Sequence, residues 1–187
     1  ALKALVLWWP LAGLSLMALL GWAVGHGSTP LDDWFQQGRD TGLGWLLFFT
    51  DPRTVLAILA AAVGVALYRR RWVLAVGVLV TPYAAGWITW WCKLIFGRRK
   101  DVALAYPSGH TTLMVVVLGM VILVFGAYQW LLVAAIVFAS LGMLGQAVTY
   151  HYFTDTVGGL LLGTSLTCLT AVLTGVKHGP PRATMAT

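Results

Sequence analysis

The chain has 187 residues, of which 59% are hydrophobic and only 10% charged, with a net charge of +6 and no glutamate. A water-soluble domain carries about a quarter charged residues, so a mean hydropathy of +0.83 excludes an ordinary soluble domain and points to a polytopic membrane protein. A positive balance would suggest nucleic acid in a soluble protein, but here the cations sit in short loops between apolar segments, which argues against nucleic acid as a partner.

Taken in order, residues 5–25 are apolar and long enough to span a bilayer, which needs about 20 residues. A signal peptide ending near Ala23-Val24-Gly25 is the rival reading, and a retained span is the expectation. Residues 26–50 mix Asp32, Asp33, Arg39 and Asp40 with Trp34, Phe35, Trp45 and Phe48. Ser28 or Thr29 before Pro30 can open a short helix, and the stretch reads equally as an interfacial segment or a connecting loop. Further spans are expected at residues 53–68, 72–91, 111–126, 131–149 and 156–176, with Arg69-Arg70-Arg71 closing the second and Trp87, Trp90 and Trp91 forming an aromatic belt on the third. Residues 1–187 therefore read as one membrane-embedded all-α domain of six transmembrane helices. Cys92 and Cys168 lie in apolar segments at different expected depths, so no disulfide is expected.

With six spans, Lys3, Arg69, Arg70, Arg71, Lys177 and Arg182 fall on one side, the cytoplasm by the positive-inside rule. Arg39, Arg53, Lys93, Arg98, Arg99 and Lys100 then lie outside. Cations on that side need another reason to be there, and phosphate binding is one. Ser108, Gly109 and His110 open the fourth span, where unpaired N–H groups and the positive end of a helix dipole favour an anion. His110 begins the fourth span and His151 ends the fifth, so two antiparallel helices return both to one face, together with Lys93 at the end of the third. Asp155 follows His151 by four residues. On a helix that spacing stacks the two side chains, so the carboxylate can orient a histidine nucleophile or base.

These blocks resemble the type-2 phosphatidic acid phosphatase superfamily of integral membrane lipid phosphatases, whose signature reads K-x6-R-P, then P-S-G-H, then S-R-x5-H-x3-D. Pro107-Ser108-Gly109-His110 matches the second block, and Lys93, His151 and Asp155 match parts of the others. Lys100 and Asp101 replace the first block's Arg-Pro, and Leu144-Gly145 replaces the third block's Ser-Arg. The resemblance implies that His151 attacks phosphorus, that Asp155 orients it, and that His110 protonates the leaving oxygen and then activates water. It further implies that Lys93, Lys100, Ser108 and Gly109 neutralise the phosphoryl oxygens. With the third-block arginine absent, Arg98 and Arg99 are the nearest replacements, followed by Arg39 and Arg53.

The expected activity is a phosphatase acting on a membrane lipid phosphate or diphosphate, either a polyprenyl or a phosphatidate type. No cofactor or metal is expected, and the expected partners are the phosphorylated lipid and the bilayer. The expected location is a bacterial plasma membrane with the site facing outside. The alternatives are a catalytically impaired relative that binds a phospholipid, and a phosphotransferase that passes the same phosphohistidine to another acceptor.

Overall fold

The architecture comes from a computed structural model that describes residues 2–175. The tail cations Lys177 and Arg182 lie outside the described residues. Helices α1 (Leu2–Val24), α2 (Pro30–Gln36), α3 (Pro52–Tyr68), α4 (Trp72–Phe96), α5 (Gly109–Phe125), α6 (Gln129–Val148) and α7 (Phe153–Leu173) are joined by a 3-10 helix (Gly42–Thr50) and a small hairpin. The hairpin pairs β1 (Arg99–Lys100) with β2 (Ala103–Leu104), antiparallel, with Arg99 opposite Leu104. The fold is all-α, and five helical segments are long and apolar enough to cross a membrane: Lys3–Val24, Gly42–Tyr68, Trp72–Phe96, Gln129–Val148 and Phe153–Leu173.

The fourth expected span coincides with α5, which has 17 residues. At 1.5 Å per residue it is about 26 Å long, a little short of a hydrocarbon core. It is also the central helix: it packs against α3, α4, α6 and α7, and Met114, Val116, Val117, Met120 and Val124 are buried. Its apolarity reflects a protein interior on most sides.

Local chemistry sets the helix ends. Thr29 caps α2 as the sequence suggests: its hydroxyl accepts from Asp32 N at 3.2 Å, Asp32 accepts from Thr29 N at 3.0 Å, and Pro30 takes the first turn. Asp51 Oδ1 accepts from Arg53 N at 2.8 Å and starts α3. Gly97 stops α4 in the left-handed conformation at φ 61°, five residues later than the sequence reading placed the end, so Lys93 belongs to the last helical turn. The second helical segment begins eleven residues earlier than expected, at Gly42. The Leu- and Phe-rich 3-10 turn continues into α3 because it has a surface to lie on: Phe49 meets Phe138 of α6 edge-on, 4.8 Å between centroids.

Arg69 and Arg71 donate to Val124 O at 3.0 and 3.1 Å and so cap the C-terminal carbonyls of α5. α1 packs chiefly on α7, with the Trp9 indole on Thr164 Oγ1 at 2.9 Å; the Tyr106 hydroxyl, from the loop before α5, also donates to Met17 O of α1. Large apolar side chains point outward instead, including Leu5, Trp8, Leu11 and Trp22 on α1, Val76, Leu79 and Tyr83 on α4, and Val133 and Ile136 on α6. In water such a surface would aggregate; against lipid it is matched to its solvent.

Candidate active site

Three chain segments gather at one end of the bundle: residues 26–51, the hairpin region 97–108, and the short turn between α6 and α7. Ser108 anchors the second segment. Its N–H donates to Asp155 O at 2.9 Å, its Oγ accepts from Thr111 N at 3.4 Å, and its side chain is buried. Ser108 therefore holds α5 against α7 and does not line the cavity described below. Gly109 and His110 form the first turn of α5 and do line it, where a helix leaves its first N–H groups without acceptors.

His151 stands in the turn before α7, not on a helix shared with Asp155. This corrects the expected helical i, i+4 stacking. Asp155 is the third residue of α7, and its Oδ2 accepts from Tyr152 N at 2.9 Å, a capping bond that brings the same oxygen to 3.7 Å from His151 Nδ1. That separation is an ionic contact beyond hydrogen-bond reach, and His151 Nδ1 is buried without a hydrogen-bond partner. The rings of His110 and His151 lie 6.3 Å apart at 63°. Burial pushes the His151 imidazole below its ordinary pKa, Lys93 and Lys100 push the same way, and Asp155 opposes them. Burial thus favours the neutral imidazole, the form a nucleophile needs.

The cations of the loop divide. Arg98 is fully buried: Nη1 donates to Asp155 Oδ1 at 2.7 Å and Thr154 Oγ1 at 2.6 Å, Nη2 donates to Asp32 Oδ2 at 2.8 Å, and both Nε and Nη2 donate to Gly27 O. Its fork is saturated, and it does not reach the cavity. Arg99, on the opposite face of the two-residue strand, is exposed and also away from the cavity. Neither replaces the missing arginine. Lys93 and Lys100 line the cavity as expected. Lys93 donates to Leu104 O at 2.7 Å and Lys100 to Thr149 O and His151 O at 3.2 and 3.0 Å, which leaves N–H donors on each ammonium. Burial and the neighbouring Arg39 lower the Lys100 pKa to about 8, against the pull of Asp101, Asp155 and Asp32.

Arg39 completes the cationic lining. It sits at the cavity wall, half exposed, with its Nη2 3.9 Å from the exposed Asp101 carboxylate. Arg53 does not line the cavity. At Gly145, where the resembled signature has arginine, a Cβ would stand 2.7 Å from the Leu46 carbonyl carbon and 2.9 Å from its oxygen. The backbone of the 3-10 helix occupies that space, so glycine is a packing requirement here and any side chain would displace the segment.

The cavity measures about 1180 Å³. From Lys93, His110 and His151 it continues along α4 past Trp90, Trp87 and Tyr83 to Pro82, with Leu113 of α5 alongside. Eleven residues of helix make that run about 16 Å. One end is cationic and polar, and the other is apolar with the exposed aromatics of α4 beside it.

Sequence reading missed Asp32 and Thr154, which join Arg98 and Asp155 in the buried cluster. The Thr29-Pro30-Leu31-Asp32 start of α2 carried a signal for Asp32, but as a cap. It also missed Gln36, whose amide donates to Ala147 O and to His151 O at 3.2 Å. Among the described residues no group of three or more His, Cys, Asp or Glu is placed to hold a metal ion. Comparison with protein-family models, with curated proteins and with solved structures returns no significant match.

Proposed function

We propose that this protein is a phosphatase of membrane lipids, hydrolysing a lipid phosphate or diphosphate through a phosphohistidine at His151. The observation that carries the reading is the cavity itself: two histidines and three cations at one end, and a run of about 16 Å along the aromatic side of α4 at the other. A phosphorylated amphiphile matches both ends, with its phosphate among Arg39, Lys93 and Lys100 and its chain along α4. The resemblance of the Lys93, Pro107–His110 and His151–Asp155 blocks to lipid phosphatases points the same way.

In this mechanism His151, with Nδ1 turned to Asp155, attacks phosphorus through Nε2. The bond from phosphorus to the leaving oxygen breaks, and His110 gives that oxygen a proton. Water then attacks the phosphohistidine, His110 takes its proton, and inorganic phosphate leaves as the P–N bond breaks. Lys93, Lys100, Arg39 and the N–H groups opening α5 stabilise charge on the equatorial oxygens. Asp155 stabilises the imidazolium that forms. In this reading α5 is a sixth span, screened from lipid by its neighbours, and the site faces outward, opposite Arg69–Arg71.

The test is phosphate release by purified protein from polyprenyl phosphate, polyprenyl diphosphate, phosphatidate and phosphatidylglycerol phosphate, with and without chelator. Release from at least one, undiminished by chelator, is the expected result. Binding without release from any of them would favour a lipid-binding relative, and a phosphorylated product other than inorganic phosphate would favour a phosphotransferase.

A further inference from the structure

Among the described residues three buried charges meet, and two of them, Asp32 and Arg98, match no motif position. Asp32, Arg98 and Asp155 all have fully buried side chains, with the guanidinium between the carboxylates at 2.8 and 2.7 Å. Asp32 comes from α2, Arg98 from the hairpin and Asp155 from α7. Asp32 accepts only from donors: Oδ1 from Thr154 N at 2.9 Å and Thr154 Oγ1 at 3.0 Å, and Oδ2 from Arg98, from Thr29 N at 3.0 Å and from Thr29 Oγ1 at 2.9 Å. Phe35 of α2 stacks on Phe153 of α7 at 4.2 Å, fixing the same approach. We propose that Asp32 is a positioning residue of the site: it holds Arg98 against Asp155 and thereby sets the charge that faces His151.

Asp155 divides its oxygens, Oδ1 to Arg98 and Oδ2 toward His151. Two carboxylates against one guanidinium leave the cluster with a single net negative charge. Were Asp32 neutral, Arg98 would cancel Asp155, and an imidazolium at His151 would lose the counter-charge it forms against. With Asp32 ionised, Arg98 is shared, and Asp155 keeps its charge for the histidine. The remaining charged groups around His151 are Lys93 of α4, Lys100 of β1 and, lining the same cavity, Arg39 of the segment after α2 with Asp101 of the hairpin turn; His110 of α5 also faces it. The cations all disfavour the imidazolium, so the cluster supplies the opposing sign. Hydrogen bonds from Thr154, Thr29 and Arg98 hold the Asp32 carboxyl below its ordinary pKa despite burial.

The proposal rests on His151 being the reacting group, and its test is built on charge balance. Asp32→Asn leaves the cluster neutral, so the acid limb of kcat, set by protonation of His151, should move to lower pH by about one unit or more for a charge at this range. Arg98→Gln leaves a double negative charge and should move the limb to higher pH. Combining both changes restores the single negative charge, and the limb should return to the wild-type position. Thr154→Val, which alters hydrogen bonds but no charge, should lower thermal stability without moving the limb. Limbs unmoved in both single variants, or moved in the same direction, would overturn the proposal. Should the charge variants fail to accumulate folded, Thr29→Val keeps the question decidable: it loosens Asp32 gently and should lower kcat several-fold at unchanged KM, and an unchanged kcat would refute the role. Titration of the His151 ring by NMR in the resting protein reads the same shifts without substrate. A protein that releases no phosphate yet shows them would refute the phosphatase reading and leave Asp32's role standing.

Discussion

Arg98 and Lys100 are two residues apart in one hairpin, yet they serve opposite ends. Arg98 turns inward to a pocket of fixed acceptors that matches its fork donor for donor, and nothing remains to offer a ligand. Lys100 turns toward the cavity, donates only to carbonyl oxygens, and keeps a donor and a charge uncancelled by a carboxylate contact. A guanidinium is suited to a saturated buried network, whereas a compact ammonium with spare donors and a lowered pKa is suited to an incoming anion. Proximity in sequence to a basic cluster therefore says little about which cation meets the ligand. The number of partners already held says more.

The largest effect that bears on this comparison is at the centre of the cavity. His151→Ala should reduce phosphate release by a factor of about 1,000 or more while lipid binding stays within an order of magnitude; turnover above a tenth of wild type would remove His151 as nucleophile. Gly145→Arg comes next. A family-like arginine should not restore charge to the site, because its Cβ meets the Leu46 backbone; overpacking of this kind costs about 1–3 kcal/mol or more, to be read as a lowered Tm with no gain in rate.

Lys100→Ala and Arg39→Ala sharpen the contrast directly. A charge-assisted hydrogen bond to phosphate contributes about 1.5–3 kcal/mol, so each change should lower kcat/KM by about 10- to 150-fold. If Arg39→Ala leaves kcat/KM unchanged, Lys93 and Lys100 alone hold the phosphate. A smaller effect is in the pH profile. Because the Lys100 pKa is lowered to about 8, its charge is present below that pH and lost above it, so activity should decline as pH rises through about 8. Lys100→Arg, which stays protonated, should move that alkaline limb upward. Arg99→Ala and Arg70→Ala should change turnover by less than a factor of two, since neither side chain lines the cavity.

The gathering of His110, His151 and Lys93 was legible in the sequence because antiparallel apolar segments joined by short turns have few ways to place their ends. The closeness of Asp155 to His151 was legible too, though for a different reason than helical stacking: a capping bond to Tyr152 N does the work. The side each cation takes was not legible. A two-residue strand alternates faces, leaving Arg99 exposed and Lys100 buried, and a register shift of one residue would exchange them. Asp32 was hidden for a related reason, since its partners lie 66 and 122 residues away, and at short range it reads as a cap. The early start of the second helical segment depends on Phe138 and Gly145 of α6, which local propensity cannot register.

The pairing of α1 with α7 has a bearing on synthesis. Trp9 reaches Thr164 across 155 residues of chain, and Thr154 and Asp155 are the last pieces of the buried cluster to be made. Until the final helix is in place, Arg98 and Asp32 have lost half their partners and α1 lacks the surface it packs on. A nascent chain that stops before residue 153 should therefore expose both unmatched charges and uncovered helix faces to quality-control proteases. Completion of the buried cluster and packing of α1 on α7 become one late event.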